Sequence, residues 1–252
     1  NSKVEDKNST ELEAKPLENT TENDIIKPAK REHKYNSSCV LVDPNDPNEN
    51  HYIFRSIGTA IQKVDEYGII LIKENNYKEK VVIEKPLTLK GLAREGVILN
   101  DIRDNPTILI KNDNVVLENL TIKGYNVAIK LKSVINCRII NNTIDQSHET
   151  GLFLDNANEI HVGNNLIRDC KNTGIAIQAS DKNYINNNTI ENCYSGISVE
   201  SSEKNVFNRN VFGFVNCIFL CVDSPNNEYP NDLINCTRYV KGIRHTCYFY
   251  GN

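Results

Sequence analysis

From Asn119 onward one position of the chain comes back every 22 or 23 residues: Asn119, Asn141, Asn164 and Asn187, then Arg209 and Asn231 in the same slot. The wording around it barely changes, with "NCRIINNTID" at 136–145, "VGNNLIRDC" at 162–170 and "YINNNTIENC" at 184–193. A repeat this short holds one supersecondary unit, which can bury its apolar side only against its neighbours, so the units must stack into a solenoid. The segments between slots decide which solenoid. "IILIK", "VVIE", "LTLKG", "TILIK", "VVLE" and "LTIKG" are short, rich in Ile, Val, Leu and Thr, and bounded by Asn, Asp, Gly or Lys. Such segments are strands, and they are too short for helices. A leucine-rich horseshoe would carry L-x-x-L-x-L and a helical stretch in each repeat, and that pattern is absent. What recurs is Gly followed by alternating apolar residues, in "GLFLD" from Gly151, "GIAIQ" from Gly174 and "GISVE" from Gly196. The expected fold is all-β, a parallel β-helix of about seven or eight coils.

The repeat divides the chain into three parts. Residues 1–50 are charged, rich in Asn, Ser and Thr, and without an aromatic before Tyr35, the composition of a tail or linker that cannot bury enough to fold alone. Residues 51–225 hold the β-helix. It opens with a capping helix at 56–67, where Ile57, Ala60, Ile61 and Val64 follow helical spacing behind Ser56 as N-cap and ahead of Gly68. Residues 226–252 lose the repeat and turn rich in Cys and aromatics ("TCYFYGN"), as a C-terminal cap would.

Composition narrows the setting. With a net charge of −4 and Lys interleaved with Asp and Glu, no basic surface suited to nucleic acid is expected. No apolar run is long enough to cross a membrane. Eight Cys residues and sequons at Asn8, Asn19, Asn36, Asn119, Asn141, Asn187 and Asn235 fit an extracellular or cell-surface, glycosylated protein. The chain contains no Met, from which a removed leader or an upstream segment is expected.

The stretch "SIGTAIQKVDEYGIILIKENNYKEKVVIEKPLTLKG", followed by the N-x-T-I repeats, resembles the secreted right-handed β-helix proteins. This group includes carbohydrate-binding and sugar-hydrolase domains and the periplasmic copper-protein maturation factors. The resemblance covers roughly residues 55 to 225. It implies a right-handed coil and leaves function open, since the same coils carry lyases, hydrolases, tailspikes, adhesins and inert scaffolds.

Strand alternation places Leu152, Leu154, Ile175, Ile177, Ile197 and Val199 inside, opposite Leu117, Ile139, Val162, Ile185 and Phe207. The recurring Asn residues fall at bends, where stacked amides can bond one another and the turn backbone. Cys170 and Cys193 share a slot, so a bridge and a pair of stacked thiols are both open. Cys217, Cys221, Cys236 and Cys247 are the candidates for stapling the C-terminal cap. Their spacing matches no standard zinc ligand set, and neither metal nor cofactor is expected.

Candidates for catalysis are thin. Asp155, His161, Arg168 and Asp169 form one ionisable group, and Asp101, Arg103 and Asp104 a second, but neither reproduces the paired Asp of an inverting hydrolase or the Ca2+ cluster of a lyase. The outward column is read as Leu71, Leu109, Ala128, Phe153, Ala176, Ser198 and Phe219, an apolar stripe suited to an intersubunit contact. The function expected is a structural or assembly subunit that self-associates through its N-terminal tail and this stripe. The alternatives are a carbohydrate-binding module with a glycan partner, or a polysaccharide-degrading enzyme.

Overall fold

Each coil is cut into short strands by residues that take a left-handed backbone. In the coil that begins at Arg138 these are Asn141 (φ 56°), Gln146 (59°), Asn156 (52°) and Glu159 (56°), and together they turn the chain around a three-sided cross-section. Across the described residues 21 positions other than Gly have positive φ, a conformation most side chains avoid. The computed structural model describes residues 38–48, 50–101, 106–224 and 226–228. They form a parallel β-solenoid with a nine-stranded first face and second and third faces of seven strands each. One level consists of Arg138–Ile140, Thr143–Asp145 and Thr150–Asn158, and the next of His161–Gly163, Leu166–Arg168 and Thr173–Gln178. Equivalent strands pair in parallel. Seven levels span about six turns, slightly fewer than the seven or eight coils expected.

Parallel register stacks like on like. The inner column of the first face runs Ile70, Leu89, Leu117, Ile139, Val162, Ile185, Phe207. That of the second runs Leu99, Ile122, Ile144, Ile167, Ile190, Phe212. The third contributes two such columns, and essentially all of these side chains are buried, as the alternation predicts. Each contributes roughly 1.5–3 kcal/mol by burial. In the last described level Phe replaces Ile on all three faces, and the rings of Phe207 and Phe212 meet Phe219 edge to face at 5.2 and 5.7 Å.

The amide ladder lies one residue beyond the slot read from sequence. Asn119, Asn141, Asn164, Asn187 and Arg209 supply the left-handed bend, and the residues that follow, Leu120 and then Asn142, Asn165, Asn188 and Asn210, are buried. Asn165 clasps the corner of the coil before it. Its Oδ1 accepts from the Asn142 amide at 2.9 Å, and its Nδ2 donates to the Ile139 carbonyl at 2.7 Å and to Asn188 Oδ1 at 2.9 Å. Asn188 and Asn142 repeat the arrangement. A second ladder, Asn183, Asn205 and Asn227, holds the corner between the third and first faces, beside a column of Ser180, Ser202 and Ser224.

At the N-terminal end the cap helix Ile57–Lys63 is shorter than the expected 56–67, and Ser56 accepts from the Thr59 amide as its N-cap. The Glu79 carboxylate takes the amides of Ile57 and Gly58 at 2.9 and 3.1 Å, so the helix start is tied to the first coil. The solenoid also begins before residue 51. Cys39–Val42 pairs with Ile69–Ile72, its own alternation having been masked by the polar composition around it. The rest of the tail and most of the expected C-terminal cap lie outside the described residues.

Replacing Asn165 by Ala strips partners from a buried carbonyl and a buried amide, so chemical denaturation should show a loss of about 2–6 kcal/mol, at 1–3 per unsatisfied group. Asn164→Ala affects only the left-handed bend and should cost about 1 kcal/mol. Equal losses in the two variants would contradict the ladder.

Candidate functional site

The ionisable candidates do not converge. Asp155 lies on the third face, His161 on the first and Arg168 on the second, so the solenoid's own core separates these three; Asp169, at the bend that follows Arg168, comes within 3.9 Å of its guanidinium. Each is engaged locally. Asp155 pairs with Lys130 at 2.8 Å, and His161 Nε2 lies 2.7 Å from Asn186 Oδ1, over the space left by Gly163. Arg168 reaches the nearly buried Asp145 at 3.4 Å, which Lys123 also approaches at 3.4 Å, and Asp169 accepts from Asn192. Arg103, Asp104 and the side chain of Asp101 lie outside the described residues.

The apolar stripe is also rearranged. Leu109, Phe153, Ala176 and Ser198 do share an outward column, but its other members are Val82, Lys130 and Leu220. Ala128 and Phe219 are buried, and Leu71 belongs to the first face. The cause is register: a one-residue slip between Ser198 and the following coil exchanges Leu220 for the inward Phe219. Lys130 interrupts the stripe, its ammonium 4.5 Å from the Phe153 ring centre.

Cys170 and Cys193 are stacked free thiols in consecutive coils, both buried. The hydrogen bond to Cys193, reinforced by burial, holds the Cys170 thiol well above the ordinary range. Burial pushes Cys137 up to about 11. Cys217 and Cys221 are buried in Cys217–Val222, and no disulfide joins two described cysteines. Cys236 and Cys247 lie outside the described residues.

Of the sequons, those at Asn8, Asn19, Asn36 and Asn235 also lie outside. Asn119, Asn141 and Asn187 sit at the corner between the first and second faces. The hydroxyl of Thr121 donates to the Arg94 carbonyl at 2.8 Å, and that of Thr143 accepts from Arg94 Nε at 3.0 Å, so the first two sequons are covered. Asn187 is exposed.

One feature escaped the sequence reading. At the corner between the second and third faces, Tyr125, His148, Lys171 and Tyr194 occupy one outward column, each 23 residues after the last. The rings of Tyr125 and His148 stack at 4.8 Å, and Lys171 Nζ lies 3.4 Å from His148 Nδ1. Tyr194 follows one coil later and Phe214 in the coil after that, 61% and 72% exposed. The signal was available in the residue that follows each of Ser147, Cys170 and Cys193.

These features define a parallel β-solenoid. The sequence model of the NosD family, described as a periplasmic copper-binding protein, matches residues 61–246, and the chain belongs to that family. The chain is 35% identical over 85 residues to a cell surface glycoprotein of Methanothermus fervidus, an alignment that covers 33% of this chain and 14% of that protein. Among solved structures it is similar to a pectin methylesterase in complex with a hexasaccharide (TM-score 0.50, 15% identity, 72% of this chain and 70% of that one). It is also similar to the catalytic domain of a GH87 alpha-1,3-glucanase in complex with tetrasaccharides (TM-score 0.52, 13% identity, 74% and 40%). At these identities the likeness is one of fold.

The described residues do not fit a copper site. No three His, Cys, Asp or Glu side chains gather among them, and the chain has no Met to offer a thioether. The stacked thiols of Cys170 and Cys193 are sealed in the core.

Two outcomes follow. Alkylation of the native protein at pH 8 with iodoacetamide should label the exposed Cys39 and spare Cys137 and Cys170, which stay protonated and buried; mass spectrometry of tryptic peptides reads this directly. Glycopeptide mapping of natively produced protein should find Asn187 occupied in preference to Asn119 and Asn141. The reverse order would mean that the sequons are modified before Arg94 covers them.

Proposed function

We propose that this chain is a non-catalytic scaffold domain of a cell-surface protein. The observation that carries the reading is the way outward charges are used. Lys130 and Asp155, Lys123 and Arg168 with Asp145, and Lys111 with Glu84 pair from coil to coil along the surface, instead of converging on one point where a reaction could be run. The repeated core and amide ladders support the same reading, since they extend the solenoid coil by coil with the same inward residues at each level.

A location outside the cytoplasm is supported by the family's periplasmic description, by the cell-surface relative and by the sequons and cysteines of the sequence. No helix among the described residues is long and apolar enough to cross a membrane. Because the chain spans about a seventh of that relative, it is read as one segment of a surface assembly. Self-association would use the N-terminal tail and the column of Leu109, Phe153, Ala176 and Leu220.

The purified chain should release no reducing ends from homogalacturonan or from alpha-1,3-glucan. Cleavage that disappears in an Asp155→Asn, Arg168→Ala double variant would overturn the scaffold reading. Sedimentation velocity tests the assembly separately. Deleting residues 1–37, which leaves Cys39–Val42 in place, should shift any concentration-dependent oligomer to monomer, and an unchanged oligomer would remove the tail from the contact.

A further inference from the structure

We infer that the aromatic corner formed by Tyr125, His148, Lys171, Tyr194 and Phe214 is a binding ridge for a linear polysaccharide laid along the solenoid axis. Phe214 is the most telling member. Its backbone is left-handed (φ 53°), and the equivalent positions of the three preceding coils are Gln146, Asp169 and Asn192. A bulky aromatic is a poor choice for such a bend, and the ring is left in water, 72% exposed. Among the described residues neither the bend nor the core gains from the ring, which leaves it available to a partner.

The arrangement selects the ligand. Tyr125 and Tyr194 are three coil steps apart, ~14 Å at ~4.8 Å per step, and Phe214 stands one step further on in the neighbouring column, two residues before Asn216, which takes the place after Tyr194. Between the rings stand Lys171, Asp169 and Asn192, the last donating to Asp169 at 3.1 Å. A protein partner would need a contiguous apolar patch, and these rings are separated by charged and amide groups. A glycan strand matches the alternation. The C–H faces of its sugar rings stack on Tyr and Phe, and its hydroxyls meet the Lys171 ammonium and the Asn192 amide. Lys171 spends one donor on His148 and keeps two. The ridge needs no catalytic group, so it stands whether or not the scaffold reading does.

The test is affinity electrophoresis of the full chain in gels containing homogalacturonan, alpha-1,3-glucan, hydroxyethyl cellulose or glycol chitin. Retardation by at least one polymer is expected, falling about tenfold in apparent affinity in Tyr194→Ala and in Phe214→Asn. Phe214→Asn restores the residue type of the bend and should keep or raise the melting temperature, which separates lost binding from lost folding. Retardation by none of the four polymers, or retardation unchanged in both variants, overturns the proposal. So does a dimer in sedimentation velocity that Phe214→Asn dissociates, since the ridge would then serve a second copy of the chain. Cleavage of a retained polymer would sink the scaffold reading and leave the ridge intact.

Discussion

The hydrogen bond from a buried Asn side chain to the corner of the neighbouring coil is the interaction on which this solenoid depends. A left-handed residue turns the chain sharply enough to start a new face, and in doing so it takes one amide and one carbonyl out of strand pairing. Both are buried, so both need partners. Asn165 meets both with one planar group, accepting from Asn142 and donating to Ile139, while its own backbone amide is taken by Asn188. Each coil thus closes the one before it and leaves an identical requirement for the one after. That explains why the period is held so closely, and why Asn rather than Ser or Thr fills the tightest corner.

Much of this was legible in the sequence. Period, strand length and inward alternation follow from the spacing of apolar residues, and the columns through Ile139, Ile175 and Val199 stand where that spacing puts them. The ladder was read one residue early because "NN" offers two identical side chains, and only the backbone conformation decides which one turns inward. The outward stripe failed for a related reason. Coil length varies by a residue or two, and a slip of one exchanges Leu220 for the buried Phe219. Catalytic candidates close in sequence, Asp155 to Asp169, were placed on different faces by a cross-section that no linear spacing reveals.

The same geometry constrains the chemistry open to the described residues. In a rod whose interior is filled by aliphatic columns, ionisable groups can occupy only the outer positions, and parallel register brings each of them beside its counterpart in the next coil. Opposite charges then settle into pairs, as Lys130 does with Asp155 and Arg168 with Asp145. A reactive cluster on such a surface requires departures from the repeat, either inserted loops or like charges held together. The described faces show pairing in their place, even though enzymes are found among proteins of similar fold.

Because the ladders and columns carry stability, outward positions can change with little effect on folding, and information about partners accumulates there as exceptions to the repeat. Most exceptions are cheap: Lys171 for His148, or Ser198 for Ala176, leaves the bends untouched. Phe214 differs because it stands at a bend, where the conformation itself disfavours an aromatic and where Asn192 does the structural task one coil earlier. A residue that weakens the local rule, exposes its ring and stands one coil beyond the exposed Tyr194 is better explained by contact with another molecule than by drift. Tyr184 makes the contrast: also exposed, it lies on a flat strand beside His161, where an aromatic suits the backbone and nothing beyond the sheet is needed to account for it.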